Sequence, residues 1–270
     1  MKFTPKNQPM GFFFPLIPIF LFIVFCIPFC IPEDIKATER ILPFSPGEKL
    51  YFNIRWGFIN AGEAVFEVLP TEVIHGFQSY HFVMCVKTTP FIDYFYKVRD
   101  RIESYTDIEI SHSILYKKQK RGKRPKDIVV DFNWEKNEAQ YSKSGKMRKP
   151  ISVLPGSFDP LSVFYAFRLH DFQENSEFEK SVTDGKKCVL GKALVVKREE
   201  ITAAGKRYDT FLVEPDLQHL EGVFEKSKDA KLKIWVTADK LRLPVRIESK
   251  VIVGSFVGEL VSAKGIKSTE

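Results

Sequence analysis

Apolar and polar residues alternate with period two along most of this chain. Leu50, Phe52, Ile54 and Trp56 alternate with Tyr51, Asn53 and Arg55, the pattern of a strand with one apolar face. GEAVFEV sets Ala64, Phe66 and Val68 against Glu63 and Glu67. The GFINAG between these two runs predicts a glycine-bearing hairpin loop. Tyr80, Phe82, Met84 and Val86 repeat the alternation, and YKVRDRIESY (96–105) gives a fourth strand. Ile128, Val130, Phe132 and Trp134 share one face of KDIVVDFNW. Asp184-Gly185 is a two-residue hairpin signal, with CVLGKALVVKREEIT beyond it, and Ala204-Gly205-Lys206 turns into RYDTFLVE. Leu232, Ile234 and Val236 lead through TADK into LPVRIESKVIV and GSFVGELVSA. About a dozen strands at regular spacing predict a single antiparallel β-barrel or half-barrel.

One segment changes period. In DPLSVFYAFRLHDF, Asp159 stands as an N-cap and Pro160 at the first helical position. Leu161, Phe164, Tyr165 and Arg168 fall at helical spacing, widened by Val163 and Phe167. This predicts a helix of about three turns across an opening of the sheet. FIDYFYK offers a second, shorter helical piece.

The N-terminus changes the picture from fold to compartment. MKFTPKNQPM carries two lysines and no acid, and Gly11–Ile31 is uncharged throughout. Residues 1–31 therefore read as a signal peptide or transmembrane anchor. An uncleaved anchoring helix is the leading reading, with a lipoprotein acylated at Cys30, or simple cleavage, as alternatives. A connector (32–43), an exported β-rich domain (44–263) and a tail (264–270) follow. The domain is then periplasmic or on the outer face of the cytoplasmic membrane, tethered through the N-terminus. Cys85 and Cys188 remain in the exported body. An oxidising compartment allows a disulfide, but two small buried hydrophobes are the favoured reading.

The formal net charge is +7, a mild bias toward anionic surfaces. KKQKRGKRPK concentrates it: Lys117, Lys118, Lys120, Arg121, Lys123, Arg124 and Lys126. Export and the absence of interleaved aromatics argue against nucleic acid. The run reads as a solvated hairpin tip, with a patch for lipid phosphates as the alternative. His75, His81, His112, His170 and His219 have no metal-ligand spacing, and no Gly-x-Ser-x-Gly elbow, P-loop or Rossmann fingerprint is present. Neither metal nor cofactor is expected.

In 96–105, alternation places Asp100 with Val98 and Ile102, opposite Arg99 and Arg101. A carboxylate on an apolar face needs a partner; Arg168, Arg55 and Arg246 are the candidates. The expectation is a structural ion-pair lock at Asp100, flanked by Arg99, rather than a catalytic acid.

Four blocks in order, FSPGEKLYFNIRWGFINAGEA, YKVRDRIESYTD, DPLSVFYAFR and IWVTADKLRLPVRIESKVIVGSF, resemble the bacterial domain of unknown function 3108 family. The resemblance implies an exported, mostly β protein and supplies no catalytic residue. It also implies that Arg99-Asp100 and the Asp159–Arg168 segment belong to a recurring pattern. IWVTADKLRLPVRIE is more loosely similar to a hairpin of half-barrel periplasmic lipoprotein carriers. Together these lead to a non-enzymatic envelope protein that shelters a lipid or other apolar ligand between sheet and helix. Trp56, Phe66, Phe82, Phe132, Trp134, Phe164 and Phe167 would line that cavity. The alternatives are an adaptor holding an envelope protein partner and, more weakly, an enzyme on envelope polymers using Asp100 or Glu103.

Overall fold

The structure, a computed structural model, describes residues 42–122, 125–216, 231–251 and 254–267. The expected signal or anchor, Cys30, Lys123, Arg124 and His219 lie outside them. Among the described residues no helix is long and apolar enough to cross a membrane.

The alternating runs form one antiparallel sheet of fifteen strands. Its first part is β1 (Lys49–Trp56), β2 (Ile59–Ile74) and β3 (Phe77–Thr88), then helix α1 (Pro90–Asp93) and β4 (Arg99–Asp107). β5 (Ser113–Lys120), β6 (Lys126–Asn133) and β7 (Glu138–Lys143) follow, with the two-residue β8 (Lys146–Met147) and β9 (Ile151–Ser152). After α2 (Ser162–Phe167) come β10 (Glu177–Thr183), β11 (Cys188–Ala203), β12 (Lys206–Pro215), β13 (Lys231–Thr237), β14 (Pro244–Val251) and β15 (Gly254–Lys264). The order is β10-β11-β12-β13-β14-β15-β1-β2-β3-β4-β5-β6-β7-β8, with β9 on β7. The sheet is therefore open, not a closed barrel. Near its ends Ser157 and Phe158 bridge: Ser113 N donates to Ser157 O, and Phe158 N to Ser181 O.

One face carries the core predicted by parity, including Leu50, Phe52, Phe66, Val68, Phe82, Ile102, Tyr116, Val130 and Phe132. Helix α2 lies against it. Only six residues are helical, not three turns, because the stretch after Asp159 is spent on a buried turn. Asp159 accepts from Leu161 N (2.8 Å) and Ser162 N (3.0 Å) at Oδ1, and from the hydroxyls of Ser104, Ser113 and Ser162 at Oδ2. The expected start is displaced: the helix is entered through Leu161 without a side-chain cap, Pro160 lies before it, and Asp159 instead anchors the preceding turn to β4 and β5.

The hairpin between β10 and β11 turns into the sheet's inner face. Gly185 has φ +83°, and a Cβ there would sit 2.7 Å from Val130 Cγ2 and 3.1 Å from Tyr141. Glycine is needed both for the left-handed backbone and for this approach.

The principal lock is not where the sequence placed it. Arg168 and Glu48 are each 1% exposed and form a two-armed pair, Nη1 to Oε1 at 2.5 Å and Nη2 to Oε2 at 2.9 Å. Arg168 also donates to Pro43 O and Leu241 O and lies over the rings of Phe44 and Tyr165. Asp100 cannot be its partner for a geometric reason. Asp100 shares a row of the ladder with Val86, Ala64 and Phe52, and Glu48 lies four residues farther along, roughly 13 Å at a strand's rise. Arg55 and Arg246 are also engaged elsewhere, Arg55 with Glu259 (3.2 Å) and Arg246 with Glu248 and Glu259.

Removing one partner of a buried pair strands the other's charge. Glu48→Gln or Arg168→Leu should lower the unfolding free energy by roughly 3–5 kcal/mol in urea titrations. The double change Glu48→Leu/Arg168→Met should recover most of that loss.

Candidate functional site

The ladder register brings lysines together at one end of the inner face. Lys120 stands directly opposite Lys126 and Asp100, and Lys118 stands opposite Ile102 and Ile128, whose other neighbour is Lys143. Directly opposed side chains have Cβ atoms about 4.5–5.5 Å apart. Lys186 and Asp184 enter from the inturned hairpin, paired at 3.0 Å. Lys120 Nζ lies 3.6 Å from Asp100 Oδ2. Lys118, Lys120, Lys126, Lys143 and Lys186 thus face two aspartates, and Lys118 and Lys126 make no salt bridge with a described residue.

Burial pushes the Lys118 ammonium down to about 8, and repulsion from Lys120 and Lys126 adds to this while Asp100 and Asp184 oppose it. Lys126 is lowered for the same reasons: burial first, then Lys120, Lys143 and Lys186. Among the described residues such a mouth carries more cations than acids, a setting that suits a phosphate or carboxylate with several acceptor oxygens.

The basic run is accordingly not a solvated tip throughout. Lys118, Lys120 and Lys126 belong to the inner mouth, Lys117 lies on the outer face over the Tyr105 ring, and Arg121 pairs with Asp127 at 2.6 Å in the turn. Asp100 faces inward as expected, but its partner is Lys120, and Arg99 pairs with Asp93 of α1 at 2.6 Å.

The seven aromatic candidates do not line a common cavity. Phe66, Phe82 and Phe132 are buried in the main core, with Trp134 and Phe164 packed on it. Phe66 stacks on Phe164 (5.3 Å) and Phe82 on Tyr165 (4.0 Å), so rings fill these contacts between sheet and helix. Phe167 joins a separate cluster around Val195 and Val213. Trp56 is 40% exposed and stacks on Phe256. A groove of about 660 Å³ instead crosses the outer face, lined among others by Lys49, Tyr51, Val65, Cys85, Arg101 and Val261. Ion pairs Lys49–Glu67 and Lys87–Glu63 stand along it.

The outer face also holds Glu103, the other acid weighed for catalysis. Burial alone would raise its pKa, but hydrogen bonds from Arg101 and Tyr105 and the charges of Arg101 and His81 bring it below the ordinary value. His81 stacks on Tyr105 at 4.2 Å and pairs with Glu72 at 2.7 Å; burial holds its pKa low against the pull of Glu72 and Glu103. A carboxylate held ionised by arginine serves as an ion-pair partner better than as a proton donor. Cys85 and Cys188 are free, the first beside Arg101 and the second beside Ser157 and Ser181.

The model of the family described as "Protein of unknown function (DUF3108)" matches residues 51–261. Among solved structures, a β-barrel-like protein of domain of unknown function DUF1849 from Brucella abortus is similar, with TM-score 0.53 and 11% identity over 84% of this chain and 100% of that one. A candidate lipoprotein from Parabacteroides distasonis is matched over 83% of this chain and 97% of its own, at TM-score 0.34 and 11% identity. At such identity the first likeness bears on the fold alone. No curated protein sequence matches.

Because the unfolded-state pKa of Lys118 is near 10.5 and the folded value about 8, its charge opposes folding fully below pH 8. That penalty fades as pH rises toward 10.5. Lys118→Met should stabilise the protein at pH 7 by roughly 1–3 kcal/mol, with the gain shrinking above pH 8 in thermal melts.

Proposed function

This chain belongs to the DUF3108 family, and we propose that it is a cell-envelope protein that binds an anionic lipid headgroup at the lysine mouth. The observation that carries the reading is the cluster of Lys118, Lys120, Lys126, Lys143 and Lys186 around Asp100 and Asp184, the two acids the ladder and ion pairs place there among the described residues. Keeping a lysine such as Lys118 half-buried among other cations costs stability, and an incoming phosphate offsets that cost. The stacked rings between sheet and helix support contact with the headgroup over an acyl chain sheltered there. Recognition of this kind needs no catalytic group, and the apolar Gly11–Ile31 stretch supports an envelope location.

A short-chain phosphatidic acid, soluble as a monomer, tests the reading by titration calorimetry. Binding should weaken with added salt and as pH rises through about 8, where Lys118 loses its proton. Lys118→Met/Lys126→Met should weaken it by about tenfold or more, since charged hydrogen bonds contribute roughly 1.5–3 kcal/mol each, without lowering the melting temperature. Absence of binding at pH 7, or binding indifferent to both lysines, would sink the proposal. Equal affinity for inorganic phosphate would make the ligand a soluble anion instead.

A further inference from the structure

Among the connections at the end that carries the lysine mouth, three are neighbours: the β1–β2 turn at Gly57-Phe58, the β3–β4 connection 89–98, and the β5–β6 turn. They are tied side by side. Thr89 N donates to Ala61 O (3.0 Å) and Thr89 Oγ1 to Asn60 O (3.1 Å), while Arg121 N donates to Arg99 O (2.9 Å). Gly122 lies so close that a Cβ would sit 2.2 Å from Lys97 O.

Besides Trp56, five large rings stand exposed on this end: Phe58 (96%), Phe91, Tyr94 (87%), Phe95 and Tyr96. Phe91 and Tyr94 each meet the Phe95 ring edge-on, at 5.7 and 5.2 Å, so these three form one knob rather than scattered residues. A cluster of this kind on a loop connection is unfavourable in water and adds nothing to the core. Cations surround it: Lys97, Arg99, Arg121 and, across the strand ends, Lys87, Lys120 and Lys126. The acids at this end are held by those cations, Asp93 by Arg99, Asp127 by Arg121, Glu63 by Lys87 and Asp100 by Lys120. Lys97 and Lys126 have no such partner among the described residues.

We propose that this aromatic knob seats the protein on an anionic lipid bilayer, with the rings at headgroup depth and the cations at the phosphates. Aromatic rings favour that depth, because one end of the interface is apolar and the other wet. Basic residues beside them gain from the negative surface potential. The combination distinguishes this end from the opposite one. There Phe77 is also 66% exposed, but its neighbours include Glu72, paired with His81, and Asp131, paired with His75. The inference goes beyond headgroup recognition and stands on the exposed rings, sharing Lys120 and Lys126 with the mouth. If both hold, the knob would bring the lysine mouth to the surface from which a headgroup is taken.

The test uses the full chain on vesicles whose lipids are brominated on the acyl chains, so that a tryptophan is quenched only when it enters the bilayer. Two variants are compared, Phe95→Trp in the knob and Phe77→Trp at the far end, with the unsubstituted chain supplying the background of its three native tryptophans. On vesicles of equal parts phosphatidylglycerol and phosphatidylcholine, the Phe95→Trp protein should show added quenching and a blue-shifted emission, and the Phe77→Trp protein neither. On phosphatidylcholine alone the added quenching should fall several-fold. Phe91→Ser/Tyr94→Ser in the Phe95→Trp chain should abolish it, while short-chain phosphatidic acid still binds at the lysine mouth. Equal quenching at the two positions, or none at Phe95 on either vesicle, would overturn the proposal. Loss of phosphatidic acid binding with quenching intact would count against the headgroup reading and leave this one standing.

Discussion

The rest of the structure depends on one guanidinium. Arg168 holds together the end of α2, the loop before β1 through Pro43 and Glu48, and the β13–β14 loop through Leu241. These segments are far apart in sequence and share no strand ladder. A buried charge can be kept only by answering every donor it has, so Arg168 fixes the position of each segment that answers it. The helix is thereby set on the inner face, and the rings of Phe164 and Tyr165 meet Phe66 and Phe82. A hydrophobic residue in the same place would fill space without demanding particular partners.

A second constraint acts at the other end of the inner face. The inturned hairpin closes on Val130 and Tyr141 through Gly185, and its Lys186 reaches toward that end to join the lysines of β5, β6 and β7. The two ends are chemically unlike. One is an ion pair sealed by rings, and the other is a set of cations that outnumbers its acids among the described residues. The first serves the fold, and the second is the site to which the proposed headgroup binding is assigned.

Much of the fold was legible because period two survives burial. The parity of Leu50, Phe66, Phe82 and Phe132 identified the inner face correctly, and glycine or proline marked the turns. The helix came out shorter because Asp159 is consumed by serines on β4 and β5, contacts that no local pattern reveals. Glu48 was missed as the partner of Arg168 because it lies ahead of the first alternating strand, where no face can be assigned. The lysine mouth could have been found: Tyr116, Lys118 and Lys120 have the same parity, so a run that is basic throughout still divides between two faces. What sequence cannot show is that Lys143 and Lys186 arrive from β7 and from a hairpin some forty residues later.

The strand order has a consequence for how the chain is made. β15 pairs with β14 on one side and with β1 on the other, so the first strand synthesised waits for the last. Until the final segment arrives, β1 and β14 each present an unpaired edge, the feature that invites association between nascent chains. Every other step along the main path joins strands adjacent in sequence and can form as the chain emerges. Completion of the sheet is therefore a single late, long-range event. A chain stopped short of Gly254 would be left with two arms and no centre, exposed to capture by a partner's strand at either edge.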